Sequence, residues 1–197
     1  VAKVSLLPRG FKSKAEKTAV ALRVELGLSS TDAMCGFKLA EHLKVKVFTP
    51  PEIFPAGTNL DELVGSKNTD KGWSALTMKV INDDTIIVHN HLHAPPRQQS
   101  NLMHELAHII CDHKRDIKDY NPLLNSLMRD HNTQQEAEAN YLGSALQITR
   151  DALIWAIKKR MTLEEISNYY NASLVMVKLR VNSTGVNRQL SYLGPIQ

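Results

Sequence analysis

Pro95-Pro96-Arg97-Gln98-Gln99-Ser100-Asn101-Leu102-Met103-His104-Glu105-Leu106-Ala107-His108-Ile109-Ile110-Cys111-Asp112-His113 is the stretch on which the reading of this chain turns. Proline suits a helix's first turn, where its missing N–H has no intrahelical partner to lose. Leu102, Leu106 and Ile109 then recur at helical spacing, so one helix is expected over residues 95–113. His104 and His108 are four residues apart on it, and both imidazoles project from one face where they can share an ion. Zinc bonds neutral imidazole nitrogen at about 2.0–2.1 Å, and this spacing delivers that without strain. Glu105 is rotated about 100° around the axis from His104. It flanks the ion, where it can take a proton from a water on the metal. The bland alternative is a chance match on an ordinary helix. Apolar residues burying the other faces weigh against it.

Catalytic zinc sites hold three protein groups and leave one position open, so a third ligand is needed. Cys111 lies near the ligand face but seven residues from His104, about 10.5 Å along the axis, too far for all three to converge. It reads as a buried helix residue. The better source is Gln134-Gln135-Glu136-Ala137-Glu138-Ala139-Asn140, on the next long helix. Glu136 and Glu138 lie about 200° apart, so only one can face the metal. Glu136 shares its face with Asn140, Gly143 and Ser144, small or polar groups that let two helices approach closely. On a helix standing alone, both carboxylates would be solvated. Beside the first helix, Glu136 is the expected ligand, and Asn140, one turn on, is placed to orient a ligand histidine from behind.

The rest of the chain supplies a frame. Its 197 residues suit one domain with a small appendage. Hydrophobic residues at 43% and charged residues at 22% argue against disorder, and a formal charge of +4 does not demand an acidic partner. Two cysteines cannot build a disulfide framework, which makes a reducing compartment the default. No secretory leader or membrane span is visible, so a cytoplasmic protein without membrane association is expected. Helices are predicted over 11–26, with Ala15, Ala19, Leu22 and Leu26 inward and Gly27 as the stop, and over 31–43, capped by Thr31 or Asp32 with Phe37, Ala40 and Leu43 inward. A short strand is expected at 45–48, then a loop over 50–71 with one helical turn near 60–64. Strands at 74–81 and 85–90 flank the turn residues Asn82-Asp83-Asp84. A polar loop over 114–132, a helix over 133–148 and another from about Asp151 follow. Residues 162–181 outline a helix-turn-helix broken at Asn171-Ala172-Ser173. The expected organisation is a first domain over 1–150 and a helical extension over 151–197 packed on it.

Taken together, these pieces resemble the ImmA/IrrE family of metallopeptidases. The matching pieces are Ile86-Ile87-Val88-His89-Asn90, Arg97-Gln98, His104 through His113, and Glu136-Ala137-Glu138-Ala139-Asn140-Tyr141-Leu142, with Arg23 to Leu28, Lys38 to Leu43 and the tail from Ile166 to Arg180 fitting the same pattern. The resemblance implies a zincin-like α+β fold with a small, mostly antiparallel sheet packed on helices. It also implies a thermolysin-like zinc centre with His104, His108 and Glu136 as ligands and Glu105 as base. The protein substrate it implies is a helix-turn-helix repressor, cut at a specific site. The chain departs from the family at Ala107, where Gly is usual, and at Ile148-Thr149, where Met-Pro is usual. Manganese or iron can also occupy such a site.

Other readings compete. His89, His91 and His93 alternate and on a strand would share a face, but histidines at a strand end are more often loop-surface groups than ligands. One of them, or His113, His131 or Tyr141, can line a substrate cleft. The helix-turn-helix outline suggests a DNA-binding regulator. Its second helix, however, presents Leu174, Val175, Met176 and Val177 where base-reading residues belong, and Glu164-Glu165 would repel phosphate. Packing or partner docking is the expected role, with direct DNA contact disfavoured. A metal-bound but non-proteolytic adaptor of antitoxin type is a third class, and the intact Glu105 argues against it. Oligomeric state is not encoded in any of these patterns.

Overall fold

The computed structural model describes residues 6–60, 73–79, 84–113 and 132–189. All but the first residue of the turn expected near 60–64, all but the last residue of the 82–84 turn, and nearly all of the 114–132 loop, including His131, fall outside them. The described elements are α1 (Phe11–Glu25), α2 (Gly36–His42), β1 (Lys46–Phe48), α3 (Pro50–Ile53), β2 (Ala75–Lys79), β3 (Thr85–His89), α4 (Pro95–Ile110), α5 (Thr133–Gln147), α6 (Arg150–Lys158), α7 (Leu163–Tyr169), α8 (Leu174–Thr184) and α9 (Val186–Gln189). The architecture is α+β and mostly helical, with one small sheet packed on helices. No described helix is long and apolar enough to cross a membrane.

The sheet corrects one expectation. Its order is β1-β3-β2, with β2 antiparallel to β3 (Thr77 opposite Ile87) but β1 parallel to β3 (Val47 opposite Ile87), so it is mixed rather than mostly antiparallel. The chain between Phe48 and Thr85 is long enough for the crossover that a parallel pair requires. β3 becomes the central strand, and Ile86 to His89 are buried on both faces.

α2 is shorter than expected and is not capped by Thr31 or Asp32. It starts at Gly36 with Cys35 as N-cap. Asp32 is committed elsewhere: its carboxylate accepts from Ser29 N at 2.8 Å and its carbonyl from Arg23 Nε at 3.0 Å. Leu39 and Ala40 face the core, whereas Phe37 lies exposed, its ring edge-on to His89.

α4 lies against α2, β2, β3 and α5, and α5 lies against α1 as well. Leu102, Met103, Leu106 and Ala107 of α4 and Ala139, Leu142, Ala145 and Leu146 of α5 share one core cluster with α1 and α2. A second cluster runs from Ile148 through the C-terminal helices to Val186. Three polar links tie those helices back. Arg180, fully buried, donates from Nε to Ile148 O at 2.8 Å and pairs with Glu16 at 2.5 Å; Tyr170 Oη donates to Thr31 O at 2.7 Å; Gln147 Nε2 donates to Asn171 O at 2.9 Å. Thr149, one of the departures from the family pattern, caps α6 by accepting from Ala152 N and also donates to Ser30 O.

Arg23 is also fully buried. It donates to the carbonyls of Ala19, Asp32, Leu146 and Gln147, and burial lowers its pKa to about 10, still charged near neutral pH. Arg23→Met keeps most of the apolar stem but leaves these carbonyls without their donor. We expect it to lower unfolding stability by about 3 kcal/mol, read as a fall in urea midpoint at unchanged slope.

Candidate metal centre

The site is built where α5 crosses α4. A methyl group placed on Gly143 would stand 3.0 Å from His104 Cα and from Met103 O, tighter than most real carbon contacts and against backbone that must give way. Glycine lets the helices come this close without displacing backbone, and the closeness carries Glu136, two turns earlier on the same face, to the imidazoles. His104 Nε2 and His108 Nε2 are 3.1 Å apart, and each stands 3.4 Å from one oxygen of the Glu136 carboxylate. Three donors each about 2.0–2.1 Å from a tetrahedral ion would sit about 3.3–3.4 Å from one another. The three groups thus fit one divalent ion, with two neutral nitrogens and one carboxylate as donors. Burial, then the neighbouring His104, pushes His108 down to about 4, so its ring is neutral, the form that binds metal.

Glu105 points to a different side of α4. It is 6% exposed, and Oε2 accepts from Thr77 Oγ1 of β2 at 2.5 Å. The 100° step between adjacent helix positions thus separates two tasks, donors toward α5 and carboxylate toward the sheet. α4 is itself anchored by its polar first turns. Gln98 Nε2 donates to the carbonyls of His91 and His93, Gln99 Oε1 accepts from Gly36 N, and Ser100 Oγ donates to Gln147 Oε1.

Asn140 is exposed on α5. The group that meets the second nitrogen of His108 is His113, whose Nδ1 lies 2.9 Å from His108 Nδ1, while its Nε2 lies 3.0 Å from Glu138 Oε2. Sequence reasoning placed His113 only as a cleft candidate and turned Glu138 away from the metal. Thr77 was not singled out, because a threonine on a strand carries no signal until the strand is docked. Tyr141 lies away from the centre, its hydroxyl donating to Glu16. The alternating histidines do not gather as ligands among the described residues: His89 packs against Phe37, and His93 meets Asn101 and Asn90.

Two imidazoles and a carboxylate around one point, with a second carboxylate beside them, form the donor set of a hydrolytic metal centre. The family model for the IrrE N-terminal-like domain, Peptidase_M78, matches residues 40–182, a span that contains every one of these groups. The chain belongs to this family of metallopeptidases, as the motifs of its sequence had suggested. No curated protein matches it.

Gly143→Ala is expected to force α4 and α5 apart. Unfolding stability should fall by about 1–3 kcal/mol, and metal affinity should fall with it, measured by competition with a chromophoric chelator.

Proposed function

We propose that the chain is a zinc-dependent endopeptidase, and the convergence of His104, His108 and Glu136 beside the buried Glu105 is the observation that carries this reading. Those three residues would hold the ion in a zincin-like site. When bound, a divalent ion there supplies Lewis acidity, polarising the scissile carbonyl and making an attacking water more acidic. The Glu105 carboxylate takes a proton from that water as the C–O bond forms and delivers it to the amine as the C–N bond breaks. Thr77 fixes one oxygen of that carboxylate, so its orientation is set before substrate arrives. β2 is a terminal strand of the described sheet and carries Thr77, which favours an extended peptide pairing along it. Zinc is the metal we favour for a His/His/Glu set, with manganese and iron as competitors.

The proposed substrate is a helix-turn-helix repressor. It follows from the resemblance to the ImmA/IrrE peptidases and is tested by incubating the protein with repressors encoded beside it and looking for a single cut. A cytoplasmic setting is proposed on the two free thiols, Cys35 and Cys111. The rival reading of a DNA-binding regulator is weakened because Arg180, a candidate phosphate contact on α8, is buried against Ile148 and Glu16.

Elemental analysis should find about one zinc per chain, lost in His104→Ala and in Glu136→Ala. Glu105→Gln should keep the metal and lose roughly 10²–10⁴-fold in cleavage; retained cleavage would remove Glu105 from the base role. Thr77→Val should also keep the metal, and its kcat should fall roughly tenfold or more as a donor to a charged group is lost. An unchanged kcat would show that Thr77 does not orient the base.

A further inference from the structure

α4 ends in a turn that does more than stop the helix. Asp112 N donates to Ile109 O and His113 N to His108 O, both at 3.0 Å, with Asp112 at φ 52. This is the Schellman arrangement, in which the residue just past the left-handed position folds back over the one five places earlier. An apolar pair usually fills that contact. Here it is filled by two imidazoles, His113 over His108, with ring centroids 4.9 Å apart and planes at 72°. The left-handed backbone costs a non-glycine residue roughly 1–2 kcal/mol. In return it sets His113 between the second nitrogen of His108 and the carboxylate of Glu138.

The hydrogen-bond roles along this line follow from the acceptor at its end. Glu138 carries an ionised carboxylate, which only accepts. Gln134 Nε2 donates to Glu138 Oε1 at 2.8 Å and fixes the carboxylate plane. His113 Nε2, 3.0 Å from Oε2, must therefore carry a proton. In a neutral ring its Nδ1 is then the acceptor, and His108 Nδ1, 2.9 Å away, is the donor. That leaves the lone pair of His108 on Nε2, the nitrogen facing His104 and Glu136. We propose that Glu138, acting through His113, is a positioning residue that selects the tautomer and ring orientation of His108 and so presents its Nε2 as a metal ligand. This rests on the reading of His108 as a ligand.

A competing use of the same residues is a second metal site, since donor atoms of Cys111, His113 and Glu138 also lie within 4.8 Å of one another. The hydrogen bond between the rings opposes it. An ion on His113 Nε2 would put that ring's proton on Nδ1, His108 Nδ1 would become the acceptor, and His108 Nε2 would carry a proton and be lost as a ligand. The two sites exclude each other through one shared contact.

The deciding experiment needs no metal. Imidazole nitrogen-15 NMR of the metal-free protein above pH ~8, where an ordinary histidine is neutral, should show His108 protonated on Nδ1 and His113 on Nε2. His108 protonated on Nε2, or averaging between tautomers, would overturn the proposal. Zinc affinity is the second readout. His113→Phe, which keeps a ring in the contact, and Glu138→Ala should each weaken zinc binding about 10–100-fold. Glu138→Gln, whose amide oxygen can still accept, should recover part of the loss, and the double variant should be little worse than the weaker single. Native affinity in both single variants would overturn the proposal, as would two zinc ions per chain falling to one in Cys111→Ser. A native protein that shows the expected tautomers but takes up no zinc would instead sink the metal-centre reading, so the two failures are told apart.

Discussion

Where α5 crosses α4, the backbone of His104 lies against the bare Cα of Gly143, and the position of every candidate ligand depends on that contact. A helix pair with side chains between the axes packs about 8–10 Å apart; losing one Cβ at the crossing lets the axes approach more closely. The carboxylate of Glu136, seven residues before Gly143, then reaches both imidazoles instead of stopping short. α5 is also held at both ends. Asn132 caps its start by accepting from Gln134 N and Gln135 N, and Arg23 donates to two of its last carbonyls, those of Leu146 and Gln147. A helix so pinned cannot slide along α4, and sliding by one residue would rotate Glu136 out of the site by about 100°. The first turn, where Glu136 sits, is also where unpaired N–H groups favour a negative charge.

Much of this was legible in the sequence, for identifiable reasons. α1, α4 and α5 announce themselves by apolar spacing, by prolines at one start, and by Gly27, which adopts φ 72 at the end of α1 as only a residue without Cβ does easily. The close approach of two helices was readable from Gly143 on the face of Glu136. What was not legible depends on tertiary partners. Nothing local distinguishes Arg23 or Arg180 from solvated cations, because their burial is compensated by carbonyls far along the chain, such as Leu146 O and Ile148 O. The parallel β1–β3 pair could not be foreseen from the hairpin signal at 82–84, which speaks only for β2 and β3. The start of α2 was misread because Asp32 looks like a helix cap and is used instead to close a turn on Ser29.

The role of His113 escaped for a subtler reason. The helical wheel that brought His104 and His108 together says nothing past the end of the helix. Six of the described helix ends are followed by a residue at positive φ, at Gly27, Lys44, Asp112, Arg160, Asn171 and Gly185. At Asp112 this left-handed turn brings a residue five positions on, rather than three or four, back to the helix face. A histidine at that spacing becomes readable only once the turn is recognised, and Asp is an unremarkable residue in a turn.

The separation of tasks around α4 also constrains how a peptide can approach. The candidate donor histidines look toward α5, and Glu105, the proposed base, looks toward β2, so a peptide lying between that strand and that helix would meet both. A carboxylate 6% exposed is sheltered from bulk water, where its electrostatic effect on a nearby proton would be screened. Thr77 shares that sheltered side and ties the base to the strand. An extended backbone lying along β2 would therefore pass the base and the three donors in one register, whereas a folded helix has no free backbone groups to pair with a strand. On this geometry, a segment of the proposed repressor substrate would have to be extended, by local unfolding or in a linker, before it could be cut.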